Sequence, residues 1–378
     1  LSVFLCCIIN KNIMKLFEIS NYLNEIVPLD FQEEYDNSGL IIGREDSEIK
    51  SVLVCLDCTA EVLAEAIEKG CNLIICHHPL IFNGIKKVTS SKKNQKIILK
   101  AIESKIAIYA IHTNLDNIYG GVSFKLAEKI GLTSVDFLKP KTGLLTKLIT
   151  YCPKTHTEKL KSALFELGAG KVSDLYDQCA FTSNGTGTFR PLDGSSPNIG
   201  DFKKYNMVEE DKIEIVFYSY MSSKIINALK TNHPYEEVSY STIVINNSTN
   251  VGSGAIGKLS RSMTNDEFLY YVKNKLNLSN IRYTKDKFKK QIKKVAVCGG
   301  SGRFLLNHAL KSKADVFITS DFKYHDFLDV DEQMIVYDIG HFESEVHTQK
   351  LIYGILKEKF SKLAVQLSNK CSNPILYY

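Results

Sequence analysis

Ser51-Val-Leu-Val-Cys-Leu-Asp57, Thr59-Ala-Glu-Val-Leu-Ala-Glu-Ala-Ile-Glu-Lys-Gly70 and Asn72-Leu-Ile-Ile-Cys-His-His78 follow one another almost without a break. The first and third runs are nearly continuous in apolar residues, and the second places them at helical spacing. That succession predicts strand, helix, strand, the unit of a parallel sheet covered by helices. The second strand ends on two adjacent histidines and opens into Pro79-Leu-Ile-Phe82. Neighbouring strand residues face opposite sides, so His77 and His78 cannot both serve one side while the strand stays regular. Three readings stand: two imidazoles for two metal ions, one for a metal and one for a substrate group, or one buried and one exposed ring without a site.

The same alternation continues outward from this unit. Met14-Lys-Leu-Phe-Glu-Ile-Ser-Asn-Tyr-Leu-Asn-Glu-Ile-Val-Pro28 has apolar residues at helical spacing, residues 93–105 read as a helix leading into the strand 106–112, and residues 124–131 form another helix. From about Leu148 the character changes. A strand (148–153), a helix (158–168), a loop-rich stretch containing Asn184-Gly-Thr-Gly187 and residues 193–200, a strand (212–220), a helix (223–233) and a strand (237–246) suggest a ferredoxin-like α+β unit. Around Val251-Gly-Ser-Gly-Ala-Ile-Gly257 the first pattern returns, with strands at 294–300, 314–321 and 334–340 and a long closing helix starting at Gly340. The expected fold is therefore α/β, a mixed sheet with flanking helices, built from residues 14–147 and 249–378 and interrupted by an inserted domain over 148–248. Residues 1–13 read as a disordered or mis-assigned extension, with Met14 a better-formed start.

Composition narrows the function classes. A chain of 378 residues has room for two or three domains, and 44% hydrophobic with 24% charged residues describes a globular protein. The first nine residues are apolar but too few to span a bilayer, and they lack the basic n-region and cleavage site of a signal peptide. No membrane partner and a cytoplasmic location are expected. The net charge of +5 is small for this length. Its densest basic stretch, Lys285–Lys294, reads as a solvated lead into a strand, so nucleic acid is not an expected partner. The 10 cysteines are scattered and mostly inside apolar strands, which fits reduced, buried thiols. Cys55-Leu-Asp-Cys58 has no second pair at zinc-finger spacing and reads as structural.

Four polar clusters follow predicted strands: His77-His78, His112-Thr-Asn-Leu-Asp116, Ser320-Asp-Phe-Lys-Tyr-His325 and His341-Phe-Glu-Ser-Glu345. Open α/β sheets place ligand sites at the C-terminal ends of their strands, so four clusters on one sheet are expected to converge. Histidine with carboxylate suits Zn, Fe or Mn rather than calcium. Asp116 has two oxygens with which to bridge two ions, and His341 and Glu345, four apart, share a helix face. Each also has a plainer reading: Asp116 as a turn cap, His112 as a packed core residue, Glu343 and Glu345 as acids at a helix start. Cys298-Gly-Gly-Ser-Gly302, between a strand and a helix, either receives a phosphate on the backbone amides of Gly300 and Gly302 or is a tight turn. It matches neither the dinucleotide nor the P-loop pattern.

Glu34-Tyr-Asp-Asn-Ser-Gly-Leu40, Cys76-His-His-Pro-Leu-Ile-Phe82, His112-Thr-Asn-Leu-Asp116, the residue 319–326 stretch and Gly340-His-Phe-Glu-Ser-Glu345 resemble, in order, the family named GTP cyclohydrolase 1 type 2, also known as the NGG-interacting-factor-like, dinuclear metal centre family. The segment from residue 148 through His233-Pro-Tyr-Glu-Glu-Val238 resembles the PII/CutA-like insert of its longer members. The resemblance implies a ring-like homohexamer with two divalent metal ions per site, held by His77, His78, Asp116, His341 and Glu345. Ser320 departs from the glycine often found before Asp321. The implied reaction is hydroxide attack on the guanine ring of GTP or a related nucleotide, with His112 or His325 moving a proton and Asp321, Lys323, Gly300 and Gly302 meeting the substrate. The alternatives are a regulatory or scaffolding hexamer with structural metals and a ligand-sensing insert, and a metal-dependent phosphatase or nucleotidase.

Overall fold

The computed structural model describes residues 14–171, 175–286, 291–330, 334–370 and 372–378; the expectation for residues 1–13 lies outside them. The chain divides into two compact units, one running to Lys139 and resuming at Gly252, the other spanning Pro140–Val251. The sequence-based limits at 147/148 and 248/249 fall inside the second unit. The strand Thr133–Pro140 belongs to a sheet of the first unit, beside Gly252–Met263. Its burial does not alternate, so no period marks it in the sequence.

The first unit contains two sheets where the sequence suggested one. Five strands lie in the order Gly39–Ile42, Ala107–Ala110, Leu73–His78, Ser51–Asp57, Ala364–Leu367. The last four pair in parallel, and Gly39–Ile42 is antiparallel to Ala107–Ala110. Val52, Val54, Leu73 and Ile75 pack on the Leu16–Ile26 and Thr348–Lys359 helices, while Leu53, Cys55, Ile74 and Cys76 pack on Ala60–Glu68 and Lys93–Glu103. Both faces are buried, which is why these strands read as unbroken apolar runs. The helix Ala60–Glu68 starts where Thr59 Oγ1 accepts from the Val62 amide at 3.3 Å, and the chain leaves it through Gly70 at φ +66°.

Six strands form the other sheet, in the order Arg282–Tyr283, Ile335–Asp338, Val316–Ser320, Ile292–Ser301, Gly252–Met263, Thr133–Pro140. Its three central strands are arranged like those of the first: Ile292–Ser301, Val316–Ser320 and Ile335–Asp338 are parallel. Val295, Val297, Val316 and Ile318 fill one core, and Ala296, Cys298, Phe317 and Val336 fill another. In place of one closing helix from Gly340 there are two, His341–Glu345 and Thr348–Lys359. Cys55, Cys58, Cys71, Cys76, Cys152 and Cys298 are free and buried, and burial pushes the Cys58 thiol up to about 12. No helix among the described residues is long and apolar enough to cross a membrane.

The second unit is a four-stranded antiparallel sheet in the order Ala180–Phe189, Asn206–Tyr218, Leu145–Pro153, Tyr240–Ile245. Leu148, Ile213, Ile215 and Phe217 meet Leu160 and Leu164 of the Thr157–Phe165 helix and Ile225 and Leu229 of the Ser222–Asn232 helix. Asn184-Gly-Thr-Gly187, read as loop, lies within the Ala180–Phe189 strand and is paired along its length with Asn206–Tyr218. Glycine and asparagine there hide the strand from propensity; cross-strand pairing decides it.

Candidate metal centre

The parallel register brings Asp57 opposite His78, at the C-terminal ends of neighbouring strands. His77 Nδ1 lies 2.8 Å from the Ile111 carbonyl, which can only accept, so the proton is on Nδ1 and the Nε2 lone pair points the other way. The remaining imidazoles repeat this pattern. His78 Nδ1 is 2.8 Å from Asp57 Oδ1, His112 Nδ1 is 2.7 Å from Asp36 Oδ1, and His341 Nδ1 is 2.6 Å from Asp321 Oδ2. Each outer nitrogen is held by an acceptor, as metal-ligating imidazoles are, leaving Nε2 for an ion.

The rings are neighbours. His78 stands 4.9 Å from His77, 5.3 Å from His112 and 5.3 Å from His341, centroid to centroid. Glu345 reaches into the group, with Oε2 at 2.9 Å from His78 Nε2 and 3.1 Å from His341 Nε2 and Oε1 at 3.9 Å from His77 Nε2. Asp116 Oδ1 is 3.7 Å from His77 Nε2, and these two buried atoms have no hydrogen-bond partner among the described residues. Two groups have ligand atoms all within 4.8 Å of one another: His77, His78 and His112, and His78, His341 and Glu345. An orphaned buried imidazole nitrogen facing an orphaned carboxylate oxygen costs free energy that a shared cation removes. The donor set and its geometry fit a metal.

Electrostatics follow from the same contacts. Burial drives His77 down to about 3, so it is neutral and ready to ligate. Burial also opposes the charged form of His78, but hydrogen bonds to Asp57 and Glu345 outweigh it and raise the ring to about 10. Burial opposes the charged form of His341 as well, but Glu345 and Asp321 outweigh it and raise the ring to about 9. Burial pushes Asp116 well above the usual carboxylate range, with Glu345 adding to it; Glu345, despite its own burial, is held well below that range by His341 and His78. Burial raises Asp36 too, but the His112 hydrogen bond and charge lower it further.

Ligation requires neutral rings, so a cation must displace the protons of His78 and His341. Metal binding at pH 7 is expected to release at least about two protons per centre, with affinity rising as pH climbs through about 9 and about 10. Calorimetry in two buffers of different ionisation enthalpy reads that number, and a buffer-independent heat would contradict it. Asp57→Asn, which replaces the charged acceptor behind His78 with a neutral amide, is expected to weaken metal binding about 10–100-fold; unchanged affinity in a competition with a chelating dye would refute Asp57's role.

The other residues singled out in the sequence fall in different places. Asp321, at φ +61°, sits behind the His341 ring and orients it, a strained position of the kind that clusters at functional sites. Gly300 is a wall of the centre and not a phosphate cradle. Its amide donates to Ser344 Oγ at 2.9 Å, and a Cβ there would overlap Glu345 Oε1. Gly302 packs on Thr319 and Cys298. Lys323 is exposed and starts the Tyr324–Leu328 helix, its amide donating to Asp326 Oδ2 at 2.8 Å. His325 is exposed beside Tyr324, and the contacts among the described residues do not join it to the four imidazoles. Sequence reasoning passed over Asp57 and Asp36 as acceptors for His78 and His112. Asp57 carried a signal, being a carboxylate at a strand end, and Asp36 lay inside the quoted Glu34–Leu40 stretch.

The profile of the Duf34/NIF3 (NGG1p interacting factor 3) family matches residues 14–374. The chain belongs to that family. Among its Duf34/NIF3 relatives, a Staphylococcus epidermidis protein named GTP cyclohydrolase 1 type 2 homolog is 39% identical over 339 residues, covering 89% of this chain and 92% of that one. A Bacillus subtilis protein of the same name is 37% identical over 376 residues, covering 97% and 98%. The crystal structure of a Bacillus cereus protein related to NIF3 superposes with a TM-score of 0.82 at 36% identity, covering 97% of this chain and 100% of that one. The mixed α/β architecture with several sheets is thus the Duf34/NIF3 fold.

Proposed function

We propose that this chain is a dinuclear metal-dependent hydrolase that acts on GTP or a related nucleotide by attack on the guanine ring. The observation that carries the reading is the convergence of four imidazoles, each held from behind at Nδ1, around the carboxylates of Asp116 and Glu345. His77, His78, Asp116, His341 and Glu345 would hold two divalent ions, Zn, Fe or Mn, and His112 stands close enough to share in that work. When bound, such ions bring the pKa of water toward about 7 and so supply hydroxide at neutral pH. The chain's own part is to fix the ligands: Ile111, Asp57, Asp36 and Asp321 orient the rings, and Glu345 sets the charge. His112, with Nδ1 on Asp36, is better placed than the exposed His325 to move a proton.

The substrate reading draws on the relatives' name, GTP cyclohydrolase 1 type 2 homolog. A cytoplasmic homohexamer is part of the proposal. So is a ferredoxin-like, PII/CutA-like insert, supported by the strand–helix–strand, strand–helix–strand order of residues 145–245 and its sheet order. The test is a screen of nucleotides with protein reconstituted with each metal, read by product mass. A ring-opened or formate-releasing product from GTP supports the proposal. Release of phosphate alone points to a phosphatase. Unchanged GTP across the metals, together with loss of assembly in His341→Ala, points to a structural centre.

A further inference from the structure

A cavity of about 960 Å³ lies wholly within the second unit, between the sheet strands Ala180–Phe189 and Asn206–Tyr218 and the segments 189–199 and 235–239. It is remote in sequence from every residue of the metal centre.

Its floor holds a carboxylate. Glu210 is 9% exposed and lines the cavity, and its Oε1 accepts from the Tyr235 hydroxyl at 2.7 Å. The position of Tyr235 is set in turn. Its amide donates to His233 Nδ1 at 3.1 Å, and the opposite nitrogen of the buried His233 donates to the Tyr151 carbonyl at 2.9 Å. Gly187 makes room for the group, since a Cβ there would overlap Glu210 Oε2. The segment over the cavity is tied down as well. The Ser196 amide donates to Glu236 Oε2 at 2.9 Å, and the Asn198 side chain donates to the Pro234 carbonyl at 3.2 Å.

A carboxylate accepts about four hydrogen bonds, and burying one with fewer is costly. The Tyr235 hydroxyl fills one position. Two oxygens in one plane match two parallel N–H donors, the arrangement that carboxylates recognise best. Phe189 and Tyr235, with ring centroids 6.2 Å apart, line the same cavity and give it aromatic surface suited to a flat group. Arg190 lines the same cavity and is exposed.

We propose that this cavity is a ligand site for a small molecule with a flat, two-donor N–H group, a guanidinium or a guanine edge, that sits on Glu210 beside Tyr235 and Phe189 and carries an anionic tail toward Arg190. The two sources of that chemistry are separable. The full-length protein is titrated calorimetrically with L-arginine and with guanosine 5′-monophosphate, and with adenosine 5′-monophosphate, whose base edge lacks the paired donors. Saturable binding of one of the first two is expected. Glu210→Gln, which swaps an acceptor for a donor, should weaken it about tenfold or more. Arg190→Ala, at an exposed position where folding is not at stake, should weaken it too, and adenosine 5′-monophosphate should bind more weakly than the ligand. His341→Ala, in the metal centre, should leave this affinity unchanged, which separates the site from any nucleotide bound at the metals. No saturable binding of either ligand up to about 10 mM, equal affinity in Glu210→Gln and Arg190→Ala, or loss of binding in His341→Ala alone would overturn the proposal.

Discussion

Glu345→Gln is expected to abolish metal binding at the candidate centre and, with it, the proposed hydrolysis. The Glu345 side chain is buried and serves three imidazoles at once, with 2.9 Å to His78, 3.1 Å to His341 and 3.9 Å to His77. Losing a single outer partner of a ligand costs about 10–100-fold in affinity, so losing the carboxylate itself should cost more than about 100-fold. Metal analysis of the purified variant and a chelator competition read this directly. The variant also removes one of the two carboxylates held by His78 and by His341, whose raised values of about 10 and about 9 depend in part on it; Asp57 and Asp321 remain. Breaking a buried pair outright costs about 3–5 kcal/mol; with Asp57 and Asp321 still in place and the His341 side chain 38% exposed, a smaller loss should appear in the metal-free protein near neutral pH.

The sign with pH is set by the direction of those shifts. Each ring titrates higher in the folded chain than the ordinary 6.5. Its stabilisation is therefore complete below about 6.5 and fades as pH rises through about 9 for His341 and about 10 for His78. Metal-free wild type should lose stability between neutral and alkaline pH, while Glu345→Gln, having lost the Glu345 half of the pairing, should show a flatter profile. A variant that keeps its metal and turns over as wild type would remove Glu345 from the centre.

Gly300→Ala should produce the second-largest effect, through one added carbon. Gly300 adopts φ +62°, a conformation that costs an L-residue about 1–2 kcal/mol. The new Cβ would also occupy the place of Glu345 Oε1 and lie 3.4 Å from His341 Cε1. The carboxylate must then swing off His78 and His341, so metal affinity is expected to fall about tenfold or more. Gly70→Ala is the matched control: Gly70 has φ +66° but nothing within 4 Å of its Cβ position. Both variants should lower Tm, by about 2–4 °C per kcal/mol, and only Gly300→Ala should lower metal affinity. Equal affinity in the two would mean that Glu345 does not need the space beside Gly300.

Much of the first unit was legible because parallel strands buried on both faces leave a one-dimensional mark. Val52 and Leu53 go to different cores, yet both must be apolar. The same rule placed His77 and His78 at a strand end, and Thr59, Gly70 and Gly340 punctuated the helices. Other features left no such mark. Thr133–Pro140 is a sheet strand without alternation, and Asn184-Gly-Thr-Gly187 is a paired strand with the composition of a loop. His325 and Lys323 carry suggestive chemistry in sequence but lie exposed, because the Tyr324–Leu328 helix presents them to solvent.

What the sequence by itself determined was the set of strand ends and the His, Asp and Glu side chains waiting there, since periodicity and chain order are local properties. The tertiary structure alone decided that two sheets and not one supply these groups, that Asp57, Asp36 and Asp321 stand behind the rings, and that Gly300 must lack a side chain. Those are contacts between residues up to 267 positions apart, as His78 and Glu345 are. No local pattern encodes such pairs. They exist only once both sheets are packed and each imidazole has Nδ1 committed to an acceptor behind it, with Nε2 of His77, His78 and His341 turned toward the carboxylates of the centre.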